Sequence, residues 1–253
     1  MEIRIFVLLP LREYCTMPVA SPVVNPRLYR LVRAAVILVL TGVIVAGLLG
    51  EIPQLDILEQ SARNLYFHVP MWFTLMVATI ISAYHSVRYL RSGDRMRDIR
   101  AREAAWLALL FGLLGIVTGM VWARFTWYVS SGQWWNFDPK QSMAAVLLLI
   151  YGAYFVLRDS IEDPDTKGRI AAVYNLFAVA TMPFLLYIIP RQLPSLHPGG
   201  EGNPAFSQTD LAPAMRWIFY PSVLGFIGLF WLLYTQRVRL AWVQEQLRDE
   251  PEL

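Results

Sequence analysis

Histidine is scarce in this sequence, and where it occurs is chemically informative. There are three, His68, His85 and His197. His68 sits in Leu65-Tyr-Phe-His68-Val-Pro70, and His197 in Leu193-Pro-Ser-Leu-His197-Pro198. Imidazole binds transition metals well, and two imidazoles from different segments can occupy both axial positions of a porphyrin iron. The stretch 122–142 adds a second feature. It holds four of the nine tryptophans, Trp122, Trp127, Trp134 and Trp135, with Phe125, Tyr128 and Phe137 among them. Rings at this density form a flat apolar platform at a water interface, suited to a flat amphiphilic ligand. Arg124, Lys140, Arg191 and Arg216 can meet the carboxylates of such a ligand by charge-assisted hydrogen bonds. Histidine pair, platform and cations point to haem. Cys15 is the only cysteine, so there is no Cys-x-x-Cys-His attachment site, no internal disulfide and no Cys-ligated metal. Any haem is therefore expected to be held non-covalently, and haem b is the form expected.

What positions these residues is a membrane. Of 253 residues, 56% are hydrophobic and 16% charged, with mean hydropathy +0.43; soluble domains run near 45–50% and 25%. Apolar runs cover 34–50, 65–84, 104–122, 142–157, 170–189 and 217–234. A helical span needs roughly 17–25 residues, and all but the fourth run qualify outright. The fourth gains a turn from Asp138-Pro139-Lys140-Gln141, which reads as an N-cap, a proline at the first helical position and a reciprocal glutamine. The fold class is an all-α integral membrane protein with six transmembrane helices. It divides into a tail (1–30), a six-helix domain (31–240) carrying the aromatic loop 122–142, and a C-terminal tail (241–253). The first tail reads as cytoplasmic or interfacial, with Met17 an alternative start to Met1. No internal repeat and no low-complexity tract occurs.

Basic residues set the orientation. Seventeen of the 22 Lys and Arg fall in the first tail, in the segment after the second run (Arg88 to Arg102), after the fourth run and at the C-terminus. Five, Arg63, Arg124, Lys140, Arg191 and Arg216, fall on the other side. The positive-inside rule puts both termini in the cytoplasm and the aromatic loop outside. His68, His197 and the platform then share the outer face. His85 lies 17 residues beyond His68, about 26 Å along a helix, and belongs to the inner face.

Taken together, the residues resemble a known family. Trp134-Trp135-Asn136-Phe137-Asp138-Pro139-Lys140, flanked by two histidine-bearing outward segments, is similar to the tryptophan-rich WWD signature of haem-handling proteins. Six spans and two outward histidines most resemble the CcmC family of cytochrome c maturation. Gly119, Trp122, Trp127, Gly132, His68-Val69-Pro70 and Leu196-His197 fit its pattern, over spans one to six. Phe137 stands where the family usually has a second tryptophan, and it lacks an indole N–H. The resemblance implies haem on the outer side, with His68 and His197 as axial ligands of the iron. Trp122, Trp127, Trp134, Trp135 and Phe137 would lie against the macrocycle, with Asp138 and Arg124 beside it. It also implies a multi-pass protein of the bacterial inner membrane that is not an enzyme. Haem would pass to a periplasmic chaperone of CcmE type, beside ABC transporter subunits like CcmA and CcmB and a small helix like CcmD. The partners are haem and membrane lipid, with no nucleic acid.

Other readings stand beside this one. The Asp-Pro-Lys-Gln run looks like the related CcsA-type synthases, though those have more spans and further membrane histidines. An ABC permease without its own haem site would need a coupling segment, which 86–103 can supply. A quinone or lipid oxidoreductase would need ionisable groups at mid-membrane, and no run has a charge at its centre. Trp72, Trp106, Trp217, Trp231 and Trp242 read as an interfacial belt. Asp138 reads equally as a helix cap, and Arg88 to Arg102 as a topology anchor. Pro70, Pro183 and Pro221 should kink their spans and leave carbonyls for neighbours to satisfy.

Overall fold

The computed structural model describes residues 25–53, 58–127, 132–197 and 211–249. Tyr128, Pro198, most of the first thirty residues and the last four lie outside that set. The described residues form six long helices: α1 (Pro26–Leu49), α2 (Leu65–Ser92), α3 (Arg95–Thr126), α4 (Pro139–Asp159), α5 (Pro164–Pro183) and α6 (Pro213–Asp249). No strand occurs among the described residues. All six are long and apolar enough to cross a membrane, as the composition requires.

The helix starts follow a repeated local rule. Asn25, Asp94, Asp138 and Asp163 each cap a helix by accepting a backbone N–H with the side chain. In three of the four, proline follows at the first helical position, where a missing N–H costs nothing. Gly93, at φ 68°, ends α2 in the left-handed conformation that glycine tolerates best. Asp94 then opens α3 at once. The basic segment after the second span is thus mostly helical extension around a two-residue turn, not a loop. Likewise α6 runs on through 241–249.

Helix α2 is central. It packs along α3 and also meets α5 and α6, while α1 rests on α6 at the edge. Glycine allows the close approach of α3. A Cβ on Gly112 would run into Leu148 and lie 2.7 Å from Leu75, and one on Gly115 would lie 2.9 Å from Trp72. Polar contacts tie α2 to α5 inside the bundle, where Asn175 Nδ2 donates to Ser82 Oγ (2.7 Å) and Ser86 Oγ (2.8 Å).

The prolines are accommodated as expected, with one refinement. Pro70 has no N–H, so the Tyr66 carbonyl one turn earlier loses its helical donor. The Ser222 hydroxyl of α6 supplies the missing bond. After Pro183 the chain widens into a π-helical turn, Phe184–Ile188, before a short helical end at Ile189–Arg191. Such turns mark functional sites more often than chance, and this one reaches the site described below.

Substitutions on two glycines should separate packing from propensity. Gly112→Val should lower stability by about 1–3 kcal/mol through overpacking. At Gly152 an added methyl group would meet nothing within 4 Å. Gly152→Ala should therefore raise stability, by up to about 1 kcal/mol. Melting in detergent checks both; equal effects of the two would contradict the packing described.

Candidate functional site

His68 lies near the start of α2 and His197 six residues past the helical end at Ile189–Arg191, yet both line the same two cavities. The larger, ≈ 190 Å³, is walled by Trp72, Phe73, Met76, Ile116, Leu186 and Tyr187, with Lys140, Arg191 and the two histidines also lining it. The smaller, ≈ 30 Å³, is lined by Leu58, Gly119, Trp122, Trp127 and both histidines. Gly119 reaches both cavities, and a Cβ there would come within 2.7 Å of His68 Cε1. Only glycine lets α3 sit so close to the imidazole.

Each imidazole is held at Nδ1. His197 Nδ1 is 2.8 Å from Asp138 Oδ1. Asp138 also caps α4 through Lys140 N–H (2.9 Å) and accepts from Leu196 N–H (2.7 Å) and Ser195 Oγ (2.9 Å). Burial raises the Asp138 carboxyl, but the hydrogen bond and charge of His197, with the Leu196 and Ser195 bonds, outweigh it and hold it at about 2. An ionised carboxylate only accepts, so His197 Nδ1 carries the proton. His68 Nδ1 is 3.1 Å from Thr118 Oγ1. The Thr118 hydroxyl points its own hydrogen at the Leu114 and Gly115 carbonyls (2.8 and 3.0 Å), so here too the imidazole donates. With Nδ1 engaged in both rings, Nε2 is the nitrogen left for a ligand. Metal-binding histidines are oriented in this way, with the far nitrogen donating to a carboxylate or hydroxyl.

Tryptophans fix the ring planes. Trp122 meets His68 edge-on at 5.8 Å between centroids and 77°, and its indole N–H donates to Ser61 Oγ (3.2 Å). Trp127 meets His197 edge-on at 4.8 Å and 75°. Trp72 stands edge-on to His68 at 6.3 Å. Among the described residues no three His, Cys, Asp or Glu side chains converge as a metal site.

The residues singled out from the sequence divide accordingly. His68, His197, Trp122, Trp127 and Asp138 come together. Trp134 and Phe137 are exposed, at 52% and 80%, and Trp135 packs edge-on to Phe137 at 6.4 Å. None of these three lines either cavity. Arg124 is half-buried on α3 and also lines neither. Lys140 and Arg191 line the larger one, whereas Arg216 donates to the Leu211 carbonyl. His85 lies near the far end of α2 beside Arg97 (3.4 Å). Gln141 does not return to the cap as a capping box requires; its Oε1 accepts from Asn136 N–H (3.2 Å), two residues before the cap. Phe137 has φ 52°, costly for a bulky residue, and this turn delivers Asp138 to the helix end.

Three contributors were not singled out. Trp72, read above as belt, is four residues past His68 and so on the same helical face, a signal that was available. Thr118 shares its face with Gly115 and Trp122 by the same spacing. Ser195 had no local signal, since its role depends on Asp138, 57 residues away.

Fold and site together define a polytopic helical membrane protein with a histidine-lined, aromatic-walled cavity near one end of its bundle. The sequence model of the family described as CcmC, heme exporter protein C, matches residues 12–251, and the chain belongs to that family. The match begins at residue 12, so the likeness reaches into the first thirty residues. Relatives described as heme exporter protein C occur in Paracoccus denitrificans (24% identical, covering 71% of this chain and 72% of the relative). They occur too in Rhodobacter capsulatus (29%; 66% and 68%) and Escherichia coli K12 (27%; 71% and 69%).

Asparagine caps helices as well as aspartate does, so Asp138→Asn keeps the cap while removing the charge and one of the two acceptor oxygens. The Asp138 carboxyl lies at about 2 in the folded protein against an ordinary 3.8. A depressed carboxyl adds stability above its unfolded value, here on the order of 2 kcal/mol, and loses it as pH falls through the folded value. The melting-temperature gap between wild type and Asp138→Asn should be constant from about pH 7 to 5 and close between about pH 4 and 2. A gap unchanged at the acid end would remove the charge from the account.

Proposed function

We propose that the protein binds haem b non-covalently between His68 and His197, at the outer face of the bacterial inner membrane, and passes it on for cytochrome c maturation. The observation that carries this reading is the pair of imidazoles, from segments far apart in sequence, each anchored at Nδ1 and lining common cavities. The apolar walls suit the porphyrin face, and Lys140 and Arg191 suit its propionates by charge. Relatives named as heme exporters support haem as the cargo. Haem is then presented to a periplasmic chaperone of CcmE type, in company with ABC subunits like CcmA and CcmB and a small CcmD-like helix. The exposed Trp134 and Phe137 suit that hand-over, because they offer flat apolar area on the surface beside the site instead of inside it.

The protein in this reading performs no bond chemistry. Its side chains bind, orient and release. The carboxylate behind His197 makes that imidazole the stronger donor, and the neutral hydroxyl behind His68 makes it the weaker one. Release is thus easier from the His68 side.

Haem content of purified protein tests the site. His68→Ala and His197→Ala should each lower bound haem by about tenfold or more, while His85→Ala leaves it unchanged. Trp122→Ala and Trp127→Ala should lower it several-fold, from the roughly 0.5–1.5 kcal/mol of an aromatic contact. Trp134→Ala should retain haem yet slow transfer to the chaperone, and Trp231→Ala should match wild type throughout. Loss of haem in His85→Ala alone would reassign the site.

Orientation is tested separately. In this reading residues 95 and 165 face the cytoplasm and 130 and 205 the periplasm, which the distribution of Lys and Arg supports. Reporter fusions at those positions should follow this pattern, and an outward residue 95 would reverse it.

A further inference from the structure

At the end of the bundle away from the histidines lies a third cavity, of ≈ 220 Å³, lined by Arg102, Glu103, Trp106, Phe155, Arg237, Leu240, Ala241 and Gln244. Arg102 and Trp122 sit on one helix 20 residues apart, so about 30 Å separates this cavity from the site above. Its centre is Glu103, only 3% exposed. Arg102 Nε donates to Glu103 Oε1 (2.8 Å) and Arg237 Nε to Oε2 (2.7 Å). Arg237 also sits over the Trp106 ring, its Cζ 3.7 Å from the centroid.

This arrangement is unusual in what it leaves over. One carboxylate takes the Nε edge of two guanidiniums, and among the described residues neither makes another hydrogen bond. Each guanidinium has five N–H donors in a rigid fork. The terminal nitrogens of both are therefore held in place, with donors to spare, at the wall of an open cavity. Both arginine side chains remain about one-third exposed, at 33% and 35%. Two cations and one anion leave a single positive charge in a pocket otherwise walled by Trp106, Phe155, Leu240 and Ala241. Leu240, 59% exposed, lies three residues nearer the C-terminal end of α6 than Arg237, on the rim of the pocket.

We propose that this cavity binds one anionic phospholipid, with its phosphodiester against Arg102 and Arg237 and its acyl chains along Trp106 and Phe155. A single negative charge neutralises the pocket, whereas a zwitterionic headgroup would bring its own cation towards two arginines. Forked guanidiniums match phosphate oxygens in pairs. Basic pockets between membrane helices bind anionic headgroups by this chemistry, and an aromatic ring at interfacial depth suits the same level. Glu103 is a positioning residue here, because it aims the two forks without touching the lipid.

The test is native mass spectrometry of the full chain in detergent, titrated with phosphatidylglycerol or with phosphatidylcholine of the same acyl chains. One phosphatidylglycerol should be retained about tenfold more tightly, the loss expected on removing a charge-assisted bond pair. The Arg102→Gln/Arg237→Gln double variant should lose that preference. Leu240→Glu should lose it too, by repelling the phosphate from an exposed position that leaves the Glu103 cluster intact. Arg169→Gln, an exposed arginine at the same end, should keep it. If the double variant does not fold, Leu240→Glu decides. Equal retention of both lipids, unchanged retention in Leu240→Glu, or displacement of the lipid by equimolar inorganic phosphate would each overturn the proposal. None of these outcomes depends on haem.

Discussion

The carboxylate of Asp138 joins two parts of the molecule that are far apart in sequence. It caps α4 and it holds the segment bearing His197, through that residue's own ring, the Leu196 N–H and the Ser195 hydroxyl. A helix N-terminus favours a negative charge, and a buried carboxylate needs donors. Each requirement is met by the other. The position of His197, and hence the pairing of the two histidines, depends on this one side chain. The left-handed backbone at Phe137 is the strain the chain carries to bring it there.

The partner histidine is placed by packing. α3 lies against α2 because glycine at 112, 115 and 119 removes the side chains that would hold them apart. The same closeness brings Thr118 to His68 Nδ1 and Trp122 to the ring edge. The two imidazoles are thus oriented by different physics, one by a charged hydrogen bond at a helix end and the other by close helix packing and a neutral hydroxyl.

Polar groups within the bundle follow the same economy. Ser222 repairs the carbonyl that Pro70 leaves open, and Asn175 bridges two serines of α2. At the end opposite the histidines, buried charge is handled by excess donors. Glu103 has two arginines where one would neutralise it, and Arg158 meets Asp98 with both terminal nitrogens. A buried carboxylate without such partners would be too costly to keep ionised.

Much of this was determined by the sequence alone. Apolar run length sets six spans, because a bilayer admits helices and little else. Asn or Asp before proline marks helix starts, because capping is a local event of three or four residues. His68 and His197 stood out by scarcity and surroundings, and the family resemblance rested on the same residues. Other features were decided only by tertiary structure. That Trp122 and Trp127 stand against the histidines while Trp134 and Phe137 face outward depends on where α3 ends and how the loop turns back, which composition does not encode. Trp72 left the belt and joined the cavity because α3 offers Gly115 opposite it. Asp138 became both cap and histidine partner because a segment 57 residues away returns to it. Long-range hydrogen bonds and helix contacts of this kind join residues whose local sequence carries no trace of one another, and in this protein they set the geometry of the site.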